Sequence, residues 1–254
     1  MIVFIMAGGL GKRMESDLPK VCHKVISLEN TIISKPMLVH VILTAIKLNV
    51  EKIYLIVGKY KDLIENIIKK YLTLDELNLV DWVIQEQALG TGHAIMCGIS
   101  ELQNHLSTQT IILSGDVPLI SLETLENLMG STNKLLITEL SNPTGCGRII
   151  LNEANQVIKI VEEKDCDYEQ KLIKLVNCGI YQINSNDLIE LLPKIKSNNK
   201  SNEYYLTDIV ELMIEHNIQI SYYCLPYDHQ YEIKNVNTKR DLDDLNNYVM
   251  ENKL

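Results

Sequence analysis

The sequence predicts an α/β fold: a mixed, mostly parallel sheet flanked by helices. Three observations lead there. Short apolar runs rich in Val and Ile recur through the first 130 residues, and continuous runs of this kind belong to strands covered on both faces. Longer helical patterns separate them, giving the β-α-β-α rhythm of a doubly wound sheet. A glycine-rich stretch, Ala7-Gly8-Gly9-Leu10-Gly11, follows the first run directly. In open α/β sheets such a turn at the carboxyl end of a strand is where nucleotides bind.

Taken in order, strands are predicted at 2–6 (IVFIM), 53–58 (IYLIVG), 82–85 (WVIQ) and 110–116 (TIILSGD). Helices are predicted between and after them, at 36–49, 60–72, 92–104 and 121–130. Beyond 130 the rhythm changes. Strand-like segments at 135–140, 147–151, 157–164 and 176–183 lie closer together, and helices follow at 185–195 and 203–216, with a strand at 218–225. The stretch 196–202 (KSNNKSN) is a polar loop. No Pro/Gly/Ser-rich linker separates the halves, so they are expected to share one sheet. A final helix is predicted near 238–252, where Leu242, Leu245 and Val249 fall on one face. That face docks on its own domain, meets a second chain, or belongs to a linker. No internal repeat occurs, and no hexapeptide β-helix array.

Lys plus Arg number 24 against 33 Asp plus Glu, a net charge of −9. That argues against a nucleic-acid binder relying on a broad basic surface. Cys22, Cys97, Cys146, Cys166, Cys178 and Cys224 form no C-x-x-C pair, and the six histidines form no metal-binding spacing, so neither a zinc site nor a disulfide scaffold is expected. The first apolar run is short and lacks a preceding basic stretch, and no segment approaches the roughly 20 apolar residues of a membrane span. A cytoplasmic protein is expected.

The chemistry starts at the glycines. Glycine lets backbone N–H groups approach a phosphate closely, although a tight turn alone would also use it. The stretch is neither a P-loop nor the dinucleotide fingerprint, whose third glycine position holds Met14. Arg13 and Lys20 flank the loop, with Pro19 stiffening the chain before Lys20. A guanidinium and an ammonium are the two side-chain cations suited to phosphate; a solvated surface charge is the other reading of Arg13.

Further motifs follow in order: AGGLGKRMESDLPKVCHK at 7–24, QEQALGTGHA at 85–94, SGDVPL at 114–119, PTGCGRI at 143–149, VEEKD at 161–165, NCGIY at 177–181, EYYLTD at 203–208 and NVN at 235–237. Together they resemble the uridyltransferase half of the bifunctional N-acetylglucosamine-1-phosphate uridyltransferase/glucosamine-1-phosphate acetyltransferase family, one of the sugar-phosphate nucleotidyltransferases. The resemblance covers about residues 1–245. It implies a Rossmann-like nucleotidyltransferase fold, with 1–237 as the uridyltransferase domain and 238–254 as a C-terminal helix. It implies Mg²⁺-dependent transfer of UMP from UTP to N-acetylglucosamine 1-phosphate. Carried over by motif, Ala7, Gly8 and Gly9 would hold the nucleotide; Arg13 and Lys20 would be catalytic; and Gln85, Gly90 and Thr91 would recognise uracil. Gly147, Glu162 and Asn177 would grip the sugar, with Tyr205 and Thr207 as support, and Asp116 and Asn237 would hold the metal.

Those roles agree with the chemistry. A sugar phosphate is already an anion, so attack on the α-phosphorus needs neither a protein nucleophile nor a general base. It needs two anions positioned and their charge neutralised. Gln87 and Glu163 are the rivals of Gln85 and Glu162, Asp116 could instead be a turn or capping carboxylate, and Asn237 a structural loop residue. His93 is read as ordering the glycine-rich turn, without a catalytic role. Trp82 and Met96 are read as core. The chain departs from the family in three places: Cys146 stands where tyrosine is common, 28–35 is long and expected to form a surface loop, and the acetyltransferase β-helix is absent, so acetyl transfer is not expected. Cys146 keeps glucose 1-phosphate or dTTP open as alternative substrates. A silent regulatory module would have lost Arg13, Lys20 or Asp116, and all three are present. A homo-oligomer is compatible with the sequence; a nucleic-acid or membrane partner is not expected.

Overall fold

A computed structural model describes residues 1–9, 11–27 and 33–252. Strand β1 (Ile2–Met6) leads through 3-10 turns at Lys12–Met14 and Lys20–Cys22 into a hairpin of β2 (Lys24–Ser27) and β3 (Ile33–Pro36). Then come α1 (Met37–Lys47), β4 (Lys52–Val57), α2 (Lys61–Ile68), α3 (Leu74–Asn78) and β5 (Val80–Ile84). They are followed by α4 (Thr91–Met96), α5 (Ile99–Gln103), β6 (Gln109–Ser114), α6 (Leu122–Leu128) and β7 (Asn133–Glu139). The remainder contributes β8 (Arg148–Leu151), β9 (Val157–Val161), α7 (Tyr168–Lys171), β10 (Leu175–Asn184), α8 (Ser185–Leu191), α9 (Asp208–Glu215), β11 (Ile220–Cys224) and α10 (Lys239–Asn252).

Among the described residues one sheet joins nine strands. Its main path runs β11-β7-β10-β6-β1-β4-β5, with the β8–β9 hairpin attached to β10. The β6-β1-β4-β5 half is parallel throughout. Strand β10 runs against β6, β7 and β8. The chain builds outward from β1 through β4 to β5 and then returns to β6 on the other side of β1. The strand order therefore reverses between β1 and β6, and in doubly wound sheets ligands bind at that crevice.

Period-2 alternation in β1 sends Val3 and Ile5 to one face and Ile2 and Phe4 to the other, all fully buried. The first face packs against α1, α2 and α6 through residues such as Val39, Ile42, Ile64 and Leu125. The second packs against α4, α5, α8 and α9 through Ile95, Leu102, Leu188 and Ile209. Both faces being dry explains why the strands read as unbroken Val/Ile runs. Helix α10 lies against β2, its Leu245 and Val249 buried; Leu245 joins a small cluster with Met14, Val25, Met37 and Val236. Among the described residues no helix is long and apolar enough to cross a membrane.

Several elements differ from the sequence expectation. The surface loop expected at 28–35 lies mostly outside the described residues, and its end is part of β3. The β2–β3 hairpin was not expected, nor were α3 and α7, although each of these two helices opens on a capping box, Thr73 with Glu76 and Asp167 with Gln170. The helix expected at 185–195 stops at Leu191 and tightens into a 3-10 turn over Leu192–Lys194, where Pro193 lacks a donor. The helix expected at 203–216 starts at Asp208, because the backbone of 204–206 bonds to the 89–92 loop instead. The single helix expected at 92–104 breaks at Gly98 into α4 and α5. The Phe4 ring lies against the bare α-carbon of Gly98, where an added β-carbon would come within 3.0 Å of Phe4 Cζ.

Gly98→Ala should therefore destabilise the chain by roughly 1–3 kcal/mol through overpacking, read as a lower urea midpoint. An unchanged midpoint would show that the Phe4 ring can move aside.

Candidate active site

The carboxyl ends of β1 and β6 open into a cleft with two lobes. The narrow lobe, about 280 Å³, is lined by Gly8, Gly9, Lys20, Gln85, Gly90 and Glu203 among others. The wide lobe, about 700 Å³, is lined by Gly147, Glu162, Asn177, Cys146, Lys234 and Tyr248 among others. Met6, Thr91, Ser114 and Asp116 line both. Met6 and Ser114 are register partners on β1 and β6, so the seam between the lobes is the topological crevice itself.

Asp116 sits on this seam and is 8% exposed. Its Oδ1 accepts from Ser114 Oγ at 2.6 Å, and its Oδ2 accepts from Lys20 Nζ. The same ammonium donates to Asn237 Oδ1 at 3.0 Å. Asn237 comes from the far end of the chain and is held by the start of α10. Asp241 Oδ2 accepts from the N–H groups of Asn237 and Thr238 at 2.9 and 2.8 Å, and Thr238 Oγ1 accepts from Asp241 N. Burial pushes the Asp241 carboxyl upward, but these donors and the charge of Arg13 outweigh it and hold it below the usual range. Two hard oxygen donors thus converge on one point already occupied by positive charge. That is the chemistry a hard divalent cation requires of its site.

The narrow lobe is walled by two interlocked loops. Tyr204 N donates to Leu89 O and Gly92 N to Tyr204 O, both at 2.8 Å, while Thr91 Oγ1 accepts from Leu206 N at 3.0 Å. Gly90 sits at φ 118°, and a β-carbon there would lie 2.8 Å from Tyr204 N, so only glycine fits. Gln85 Nε2 donates to Gly90 O at 3.2 Å and faces His93 Nδ1 at 3.1 Å.

In the wide lobe, Glu162 Oε1 accepts from Thr207 Oγ1 at 3.0 Å. Burial raises the Glu162 carboxyl above its ordinary range, with Thr207 opposing and Asp165 and Glu203 adding to the rise. Gly147 packs against Ile160 and Glu162. Asn177 lies at an irregularity of β10; it donates to Tyr181 Oη at 2.7 Å and accepts from Gly179 N at 3.1 Å. Glu163 points elsewhere. It pairs with buried Arg148 at 2.6 Å and accepts from Gly145 N, which makes it structural.

Most of the predicted residues therefore meet in one cleft: Gly8, Gly9, Lys20, Gln85, Gly90, Thr91, Asp116, Gly147, Glu162 and Asn177 line it, and Asn237 reaches it through Lys20. Three others are placed differently. Ala7 is buried and its N–H extends the sheet ladder to Ile56 O at 2.8 Å, so it has none to offer a phosphate. Arg13 is exposed on its 3-10 turn, outside both lobes. Tyr205 lines a separate cavity of about 490 Å³ behind Glu162, together with Asp165, Asp208 and Glu211. Sequence reasoning missed Ser114 and Asp241. The second had a signal, since Thr238-Lys239-Arg240-Asp241 is a helix-capping pattern. Tyr231 and Tyr248, whose rings lie 5.5 Å apart at the end of the wide lobe, had none.

Comparison with known proteins decides the family. A family model described as Nucleotidyl transferase matches residues 2–228. The chain belongs to the nucleotidyl transferase family. Among nucleotidyl transferase relatives, a probable UDP-N-acetylglucosamine pyrophosphorylase of Acanthamoeba polyphaga mimivirus is 43% identical over 96% of this chain and 94% of its own length. Bifunctional protein GlmU of Dechloromonas aromatica is 38% identical over 96% of this chain, and GlmU of Streptococcus sanguinis is 38% identical over 87%. The chain spans about half the length of these GlmU relatives, 51% and 46%. A crystal structure of UDP-glucose pyrophosphorylase complexed with UDP-glucose shares the fold, with a TM-score of 0.71, 18% identity, and coverage of 99% and 98% of the two chains.

The cavity behind Glu162 carries a pH signature. Burial, helped by Glu211, Glu162 and Asp165 and opposed by Lys159, pushes the Asp208 carboxyl from 3.8 up to about 6. The folded chain then keeps a proton that the unfolded chain has released, so this stabilising contribution is present in acid and is lost as pH rises through about 6. Asp208→Asn should match the wild type near pH 4 and exceed its urea midpoint at pH 7. Parallel pH curves for the two proteins would refute this.

Proposed function

We propose that this nucleotidyl transferase is a UDP-N-acetylglucosamine pyrophosphorylase. It takes UTP and N-acetylglucosamine 1-phosphate and gives UDP-N-acetylglucosamine and pyrophosphate. The observation that carries the reading is the seam. A lobe with a glycine loop and a lobe with a buried carboxylate meet at Asp116, where two phosphorylated substrates would meet. The substrate pair is supported by the mimivirus relative, named a probable UDP-N-acetylglucosamine pyrophosphorylase and matched over 94% of its length.

In the reaction a phosphate oxygen of the sugar phosphate attacks the α-phosphorus. The bond from that phosphorus to the bridging oxygen breaks, and pyrophosphate leaves with the electron pair. Asp116 and Asn237 would hold Mg²⁺, which when bound supplies charge neutralisation for the phosphates. Lys20 already stands at this point and brings an ammonium to phosphate oxygens. Arg13, exposed on the adjacent turn, supplies a second cation from outside the lobes. Gly8 and Gly9 let phosphates approach the backbone, while Ala7 acts by fixing where the glycine loop leaves β1. Gln85, Gly90 and Thr91 form the uracil side. Gly147, Glu162 and Asn177 form the sugar side, where Thr207 steers Glu162 and Tyr205 supports it from behind. Cys146 borders this lobe, and burial raises its thiol; it enters the site as a small neutral group. None of the six cysteines is paired in a disulfide, which suits a reducing cytoplasm.

Pyrophosphate release by the purified chain with Mg²⁺ and UTP tests this reading. Turnover should be highest with N-acetylglucosamine 1-phosphate, above glucose 1-phosphate or glucosamine 1-phosphate, and UTP should outperform dTTP. Asp116→Ala should lower kcat by on the order of 100-fold or more in a chain that still unfolds cooperatively in urea, at a somewhat lower midpoint because Lys20 loses its partner. Full turnover in Asp116→Ala would remove the metal assignment. A clear preference for another sugar phosphate would move the substrate but keep the site.

A further inference from the structure

We infer that His93 sets the base specificity of the cleft, by fixing which end of the Gln85 carboxamide faces the nucleotide. The inference rests on the uridyltransferase reading and concerns how that reading is enforced. A carboxamide is pseudo-symmetric: one end donates, the other accepts, and a half-turn exchanges them. Its orientation has to be imposed by the neighbours that bond to it. Gly90 O can only accept, so the end facing it, at 3.2 Å, is the NH₂. The same nitrogen faces His93 Nδ1 at 3.1 Å, and that ring nitrogen accepts when the imidazole carries its proton on Nε2. Both hydrogens of the amide are thereby used on the loop side.

Gln85 Oε1 is left on the other side. It lies over Gly8, where an ideal β-carbon would sit 3.4 Å from it, and both residues line the narrow lobe. Among the described residues Oε1 accepts no hydrogen bond. The lobe therefore presents a fixed acceptor. Uracil and thymine carry a donor, N3–H, on the matching edge. Cytosine carries an unprotonated N3 there, and acceptor would oppose acceptor. A half-turn of Gln85 would accommodate cytosine, but it would aim Oε1 at Gly90 O and would require the His93 proton to move from Nε2 to Nδ1.

His93 is placed to exert this control. It sits on the first turn of α4, three residues beyond Gly90. The Tyr204 ring lies against it with centroids 6.2 Å apart, and Cys97 Sγ approaches Nδ1 to 3.8 Å from the next turn. The loop that carries Tyr204 is the one locked to Leu89 and Gly92. The ring is thus held by the same interlock that shapes the lobe. In this arrangement His93 is a positioning residue: it touches Gln85, and Gln85 touches the base.

The test is calorimetric binding of UTP and CTP, run beside pyrophosphate release. Wild type should favour UTP and should lose affinity for 3-methyluridine triphosphate, which lacks the N3 hydrogen. His93→Ala should narrow the UTP:CTP affinity ratio about tenfold, the scale of one lost hydrogen bond, while the KM for the sugar phosphate stays unchanged. His93→Asn, whose side-chain oxygen can accept near the Nδ1 position, should restore the ratio; it also serves if the alanine variant does not fold. An unchanged ratio in folded His93→Ala, no rescue by asparagine, or equal wild-type binding of UTP and CTP would overturn the inference. A wild type that discriminates UTP from CTP but releases no pyrophosphate would overturn only the transferase reading.

Discussion

Everything in the cleft depends on β1 lying between two parallel neighbours. Its five residues pair in register with β4 on one side and β6 on the other, and nearly all of it is sealed from water. Parallel pairing sends the carboxyl ends of all three strands to one edge. The reversal of strand order at β1 keeps any crossover from covering the gap toward β6. The ladder even runs a step past the strands, through Ala7 N to Ile56 O and Gly115 N to Met6 O. The glycine loop and Asp116 therefore leave the sheet from fixed neighbouring points. A slip of one residue in β1 would exchange its two apolar faces and separate the pair.

The rest of the site is assembled by segments that hold one another rather than by the sheet. The 89–92 loop and the 204–206 strip share backbone bonds, and each supplies what the other lacks. Asn237 owes its position to Asp241, one turn into α10. Glu162 is oriented by Thr207, from the strip that also braces the narrow lobe. Polar groups in a half-buried cleft need such partners, because an unpaired donor or acceptor costs more than a paired one returns. Support for one lobe is consequently built from residues that also serve the other.

The strands and most helices were legible because their signals are local. Val/Ile runs mark doubly covered strands, and the stretch after β1 announces a turn. The motif order carried the site further, since Gln85, Asp116, Glu162 and Asn177 do converge. What stayed hidden was set by distant neighbours. The break at Gly98 depends on the Phe4 ring, 94 positions earlier in the sequence. The delayed start of α9 depends on a loop more than a hundred residues upstream. Tyr205 carries the same motif context as Thr207, yet their side chains part: Thr207 bonds to Glu162 and Tyr205 turns into the cavity behind it. Neighbouring positions in an irregular strip have no period from which to read their direction. Glu162 and Glu163 were separable only once Arg148 was seen to claim the second.

Strand β10 has a mechanical consequence. Its last residues belong to the parallel half through β6, its first to the hairpin half through β8, and β7 accompanies both. A ten-residue strand thus ties the two halves together, and its one weak point is the register shift between Asn177 and Tyr181. Opening one lobe away from the other would have to bend the sheet at that irregularity, since the ladders on either side of it are continuous. Adjustment to an arriving or departing molecule is left to segments outside the ladders, such as 141–147 and 227–235, which border the wide lobe. The two lobes thus share one sheet as their common frame, with the loops as its edges.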